Sequence, residues 1–475
     1  MEESKKLVQL SHDLDYQKLP EDVIERVKYL LLDYLGVAAR GSLSKSSLPV
    51  HKMIRRQGWP ADGIPIIGTD LKTIASFAAL GNGIAAHSLE LDEVVNAASL
   101  HPAVSVMSAA LPVAYLSRAN GQDLIAAIVA GYEATIKIGK ALDPAAHYAR
   151  GFHPTETCGT MGAAIATGKL IGLKEPAMLN ALWIACSQAA GSMEFLSDGA
   201  FSKRFHAGWS AHSGVLAAQL AQEGFTGPET IIEGKFGFLH ACSASSNPEK
   251  ILGGWGEPYE VMRTSIKPHA CCRYKQGPID CILTIMRENN LAPEDIDKVV
   301  LSVLKAGFAL VVDPWEQKLN PKSILDAQFS MAYGAAAAIL YGRAFLDEYG
   351  ADNINSSRIR EMMQRIECVE DADIEIGYPQ RWAAKAVIWT KDSRKLDTRV
   401  DYPKGDPENP MTWEEVIDKF QRLTAPVFTV EKIEKIVTYV RNLEQESSLT
   451  RLLSIIDLSI KDEGGVPLSL IPPLL

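Results

Sequence analysis

The stretch Ser265-Ile266-Lys267-Pro268-His269-Ala270-Cys271-Cys272-Arg273-Tyr274 packs two fixed cations, a histidine and two thiols into ten residues. It lies where a helix-rich region gives way to strand-like sequence. A solvated charge run would carry interspersed acids, and a core segment would not tolerate Lys267 and Arg273 so close together. Cations held at a domain junction suit a small polycarboxylate. The plainer alternative is a basic loop stacked on a domain interface.

Three further constellations could carry chemistry. Asn82-Gly83 leads to His87-Ser88-Leu89-Glu90-Leu91-Asp92-Glu93 and then to His101-Pro102, so acids and histidines gather around a helix end and the loop after it. The helical metal signature, two ligands four residues apart flanking a glutamate, is absent. An acid and a histidine presented to a substrate serve proton transfer at neutral pH, whereas the plainer reading is a capped helix end with a solvated loop. In Gly151-Phe152-His153-Pro154-Thr155, His153 precedes a small-residue helix start, where free amides and the dipole favour an anion. There it serves either a bound carboxylate or the loop's own hydrogen bonds. Lys203-Arg204-Phe205-His206 precedes a helical pattern at Trp209–Glu223 and forms a second anion-binding cluster or a solvated cationic turn.

Composition narrows the class. The chain has 475 residues and a formal net charge of −10, which argues against nucleic acid as a partner. Seven cysteines without a CxxC pair point away from zinc ribbons and toward a reducing compartment. The amino-terminal residues carry no apolar signal core, and the longest apolar runs fall short of a membrane span, so a cytoplasmic protein is expected. No GxGxxG follows a strand, and no Walker loop, HExxH or GxSxG occurs. What remains is chemistry on a small anion, expected to need neither cofactor nor metal. Removal of water, decarboxylation and epimerisation next to a carboxylate all fit, each passing through a carbanion or enolate stabilised by nearby cations.

Those side chains must be positioned by the elements around them. Helical periodicity runs through Glu21–Ala39, Thr73–His87, Ala103–Ser117, Leu124–Leu142, Thr160–Ile171 and Pro176–Ala190. Several of these are apolar on nearly every face, which predicts burial in a large helical core or a subunit interface. Strand-like runs follow at Asp297–Leu304, Ala386–Thr390 and Arg399–Tyr402, between helical patterns at Pro278–Glu288, Asp326–Leu340 and Ser356–Arg365. Amphipathic helices return at Thr412–Arg422, Val430–Leu443 and Ser447–Ile456. The predicted fold class is mainly α. A helical domain spans residues 1–265, an inserted α+β lid spans 266–403, and 404–475 returns to the helical domain.

Asn82-Gly83, His87, Asp92-Glu93, His101-Pro102, Gly151-Phe152-His153-Pro154, Ser202-Lys203 with His206-Ala207-Gly208, Lys267-Pro268 with Cys271-Cys272-Arg273, and Tyr402-Pro403-Lys404-Gly405 follow one another in the order found in the MmgE/PrpD family. The resemblance runs from about residue 7 to 460. It implies a large helical domain with a smaller α+β lid, a homodimer, and a site between the domains. It also implies catalytic roles for His101, His153, Lys203, Lys267 and Tyr333, with Glu90, Asp92, His206, Cys272 and Arg273 binding substrate. Two departures stand out. Glu90 and Glu93 replace aspartates in the acidic loop, and Cys272 stands where decarboxylase-like members carry a histidine. The resulting expectation is a hydro-lyase acting on a small di- or tricarboxylate such as 2-methylcitrate. An epimerase of an iminodisuccinate-like substrate, a cis-aconitate-type decarboxylase and a silent binding protein are the alternatives.

Overall fold

The computed structural model describes residues 2–58 and 62–459. Among these the chain divides into two compact units. One holds the residues up to Ser88, Asp92–Thr264 and those from Thr412 onward. The other holds Leu89–Leu91 and Ser265–Met411. Residues 404–411 stay with the second unit, where the Ile266 N–H donates to the Gly405 carbonyl at 3.0 Å.

The first unit is built from α1 (Glu21–Gly41), α2 (Ala75–Ala86), α3 (Ala103–Leu116), α4 (Gly121–Ala141), α5 (Pro154–Leu170), α6 (Glu175–Ser187) and α7 (Ser202–Gln222). Pro20 precedes α1, and Glu21 and Asp22 occupy its first turn, where carboxylates favour the positive end of the dipole. Helix α7 packs against α5 and α2, and α5 packs against α4 and α3. Small residues permit this closeness. A Cβ on Gly83 of α2 would lie 2.7 Å from the Gly208 Cα of α7, and one on Gly162 of α5 would lie 2.6 Å from the Gly131 carbonyl of α4. The helix Trp413–Thr424 packs on α1, where Lys419 and Asp33 form a buried ion pair of 2.5 Å.

Helix α4 is buried along nearly its whole length within its own unit. Its all-round apolarity therefore calls for no second subunit, which removes the sequence argument that such helices need an interface. Two helix starts also differ from expectation. Helix α5 begins at Pro154, not near Thr160, because a proline at the first position presets the helical φ and needs no N–H partner. Helix α7 begins at Ser202, which puts Lys203 and His206 in its first turns instead of in a preceding loop.

The second unit is a four-stranded sheet with helices. Strands β1 (Ile296–Ser302), β2 (Ile366–Val369), β3 (Ala384–Thr390) and β4 (Lys395–Val400) lie in the order β2-β1-β3-β4. Strand β1 runs parallel to β2, with Val299 opposite Ile366, and antiparallel to β3, with Val300 opposite Val387. Strand β3 buries Ala384, Ala386, Ile388 and Thr390 in strict alternation, giving a face that receives α8 (Gln276–Glu288). Helix α9 (Met331–Tyr341) packs on α8. The helix expected over Asp326–Leu340 breaks at Phe329, and Ser330 caps α9 by accepting the Tyr333 N–H at 3.1 Å.

Candidate active site

The first unit gathers four histidines. Helix α2 ends with His87 as its C-cap, its N–H donating to the Gly83 carbonyl. Further on, Val95 donates to the Leu100 carbonyl at 2.9 Å, and Ser99 takes a left-handed φ of 51°. This closed loop returns the chain beside Asp92 just before α3, whose N-cap is Pro102. Asp92 Oδ2 lies 2.8 Å from His87 Nδ1 and 2.9 Å from His101 Nδ1. His101 Nδ1 also approaches the Glu93 carbonyl oxygen at 2.5 Å. A ring nitrogen facing two acceptors must carry the proton, so the lone pair of neutral His101 sits on Nε2. His101 is partly exposed, whereas His87 and Asp92 are buried.

His87, Asp92 and His101 bring one ligand atom each within 4.8 Å of one another. A metal needs the unprotonated lone pairs of those nitrogens. The Asp92 carboxylate and the Glu93 carbonyl engage His101 Nδ1 through a proton, so Nε2 is the nitrogen of neutral His101 left to face a substrate or an ion.

The second pair of histidines comes from α5 and α7. His153 is the N-cap of α5, and its N–H donates to the Gly191 carbonyl at 2.8 Å. Its ring stacks on His87 with centroids 5.7 Å apart and lies against His206, Nδ1 to Nδ1, at 3.3 Å. His206 Nε2 lies 3.7 Å from Glu156 Oε2 in the first turn of α5. The His101 N–H donates to Thr155 Oγ1 at 3.3 Å, joining the start of α3 to the start of α5.

Burial sets the charge of this cluster. It lowers His87 and His206 to about 4 and His153 well below its usual value, and the Lys203 ammonium pushes all three the same way. Near neutral pH these rings are uncharged. Burial also raises Glu93 to about 8, although its carboxylate accepts from the Tyr132 hydroxyl and the Ala103 N–H, each at 2.7 Å. Glu156 is likewise pushed up to about 8 by burial.

Of the residues expected at the site, His101, His153, His206, Asp92 and Lys203 thus share one region of the first unit. Asp92, expected to bind substrate, has its carboxylate against two imidazoles. His87 and Glu156 belong here as well. Sequence reasoning passed over Glu156, whose one signal is its place three residues after His153 on the same helix start.

Glu90, Lys267, Cys272, Arg273 and Tyr333 belong to the second unit. Glu90 has a left-handed φ of 54°, and its carbonyl accepts from buried Lys267 Nζ at 3.1 Å. Cys272 is buried, and burial pushes its thiol up to about 11, so it stays protonated. Arg273, expected as a substrate anchor, pairs with buried Asp406 and lies 5.1 Å above the Trp382 ring. Its charge is therefore balanced within the fold. Tyr333, expected to be catalytic, is a core residue. It is fully buried, its hydroxyl donates to the Glu348 carbonyl at 2.7 Å, and its ring packs on Tyr349. The reason is α9 itself, which starts at Met331 and turns its third residue into the core.

Among the described residues, no helix is long and apolar enough to cross a membrane. Residues 5–251 match the MmgE/PrpD N-terminal domain, and residues 269–445 match the MmgE/PrpD C-terminal domain. A cis-aconitate decarboxylase-like protein of Aspergillus oryzae is 27% identical over 464 residues, covering 94% of this chain and 95% of its own. The cis-aconitate decarboxylase of Aspergillus terreus is 26% identical over 466 residues, covering 93% of each chain. That of Mus musculus is 26% identical over 473 residues, covering 96% of this chain and 93% of its own. With both domains matched in order along most of its length, the chain is an enzyme that belongs to the MmgE/PrpD family.

Proposed function

We propose that the enzyme decarboxylates a small unsaturated polycarboxylate of the cis-aconitate type. The observation that carries this reading is the cluster of uncharged imidazoles beside Lys203. When CO2 leaves, the electron pair of the broken carbon–carbon bond stays in the remaining π system, and a carbon must take up a proton. Neutral histidines can give that proton, and a neighbouring ammonium can hold the carboxylates that stay behind. The relatives named above move decarboxylation ahead of the dehydration put first on the residues alone. Dehydration of a 2-methylcitrate-like substrate is the second reading, favoured by the neutral thiol of Cys272 where decarboxylase-like members are expected to carry a histidine. Proton transfer at carbon is common to both.

The discriminating experiment offers cis-aconitate, 2-methylcitrate, citrate and iminodisuccinate in deuterated water. Release of CO2 from cis-aconitate with deuterium in the product is the expected result. New ultraviolet absorbance from 2-methylcitrate without CO2 would move the assignment to dehydration. Deuterium exchange without bond change would point to an epimerase, and no turnover of any substrate would sink the reading. The enzyme is further proposed to be a cytoplasmic homodimer. Phe201, which caps α7, and Phe205 and Leu216 within it leave exposed apolar side chains at helical spacing. A monomer by light scattering at micromolar concentration would remove the dimer and leave the chemistry standing.

A further inference from the structure

Glu156 stands apart from the residues expected at the site. It lies in the first turn of α5, with Oε2 buried and without a hydrogen-bond partner. Gly191 closes over it with a φ of 122°, and a Cβ there would sit 2.6 Å from that same oxygen. The group facing Glu156 Oε2 is His206 Nε2, at 3.7 Å. The other ring nitrogen of His206 faces His153 Nδ1 at 3.3 Å. Three proton-carrying groups therefore stand in series, ending on His153 Nε2.

We propose that Glu156 and His206 form a proton relay that reloads His153, with Glu156 as the store. The proposal rests on the decarboxylase reading for the direction of transfer. Loss of CO2 from a carboxylate followed by protonation of carbon consumes one proton per turnover, whereas dehydration consumes none. An uncharged imidazole gives up a proton readily only if it receives another at its second nitrogen at the same time.

The tautomers permit this in one consistent sequence. His153 gives its Nε2 proton to carbon and takes the His206 Nδ1 proton on its own Nδ1. His206 takes the Glu156 carboxyl proton on Nε2, which leaves a carboxylate. After the product leaves, water protonates His153 Nε2 and the same transfers run in reverse, which returns the carboxyl proton to Glu156 and restores both starting tautomers. One proton enters from solvent and one leaves on carbon, so the balance closes. The step between Glu156 and His206 needs an approach of about 0.7 Å to reach a normal hydrogen bond of about 3.0 Å.

Burial supports the store, since it raises Glu156 to about 8 and holds His206 and His153 uncharged. The groups facing these three are Lys203 of α7, His87 at the end of α2, His101 before α3, and the Phe195 ring. The ammonium and the imidazoles all oppose a charged His153, which favours a concerted transfer.

Glu156→Gln keeps the shape and removes the proton. On cis-aconitate its kcat should fall about 10-fold or more, with KM within about 2-fold and the alkaline limb of the pH profile lost. His206→Asn keeps a donor toward His153 and breaks the chain, so it should lose kcat similarly. The proton inventory should be curved for wild type and linear for both variants. Wild-type kcat in a folded Glu156→Gln would overturn the relay while leaving the decarboxylase reading intact. Absence of CO2 release from wild type would sink that reading separately. Difference infrared spectroscopy covers that case. At pH 7 wild type should show a protonated carboxyl band that Glu156→Gln lacks, and its absence would overturn the store.

Discussion

His101 Nδ1 lies 2.9 Å from Asp92 Oδ2, and that same carboxylate oxygen lies 2.8 Å from His87 Nδ1. One buried carboxylate thus orients two imidazoles and holds the His101 lone pair on Nε2. Replacing it by the isosteric amide in Asp92→Asn can place an N–H against His101 Nδ1 and force the other tautomer. Turnover should fall about 10²-fold or more with KM little changed, as expected when the acceptor that fixes a catalytic imidazole is lost. His101→Ala should lower turnover by about 10²–10⁴-fold and leave the protein folded. Steady-state kinetics with circular dichroism on both variants checks the pair, and near-wild-type turnover would remove His101 from the mechanism.

Lys203 and Arg273 should respond differently to loss of charge. Lys203→Met should raise KM by about 10–100-fold, the loss of one charged hydrogen bond worth about 1.5–3 kcal/mol. Arg273→Met leaves Asp406 buried with Ser265 Oγ, 2.6 Å away, but without its guanidinium. That should destabilise the fold by about 3–5 kcal/mol. Denaturant unfolding alongside kinetics separates the two, and a stable Arg273→Met with a raised KM would return Arg273 to substrate binding.

The pH dependence of stability follows from the buried groups. Glu156 titrates at about 8 in the folded protein against an ordinary 4.5. The folded state therefore binds the extra proton between those values, and stability is lost as pH rises through them. His87 and His206 titrate at about 4 against an ordinary 6.5, so the unfolded state binds more protons there and stability falls as pH drops from 6.5 to 4. Glu156→Gln should therefore gain melting temperature over wild type at pH 8 relative to pH 5. An offset that does not change with pH would mean that Glu156 is ionised in the fold.

Exhaustive chelation should leave activity unchanged, because the reaction is assigned to proton transfer by imidazoles and to charge from Lys203, neither of which needs a metal. Activity lost on chelation and restored by a divalent ion would overturn that assignment.

The types and spacings of residues determined a good deal. The period-3.6 pattern of Val23, Val27, Leu30, Leu31 and Leu35 marks α1, and β-branched runs mark β1 and β3, because burial of one face imposes its period on the chain. His101, His153 and Lys203 could be picked out because histidines and lysines beside helix ends are few in an acidic protein. Their partnership could not. Tertiary packing decided it, by letting Gly83 and Gly208 bring α2 against α7 so that residues far apart in sequence share one region. Packing also decided the protonation states, since desolvation, not residue type, makes His87, His153 and His206 neutral and Glu156 an acid. For the same reason Tyr333 could be read as catalytic from its motif, and only its depth in the core and the Glu348 carbonyl reveal a structural hydroxyl.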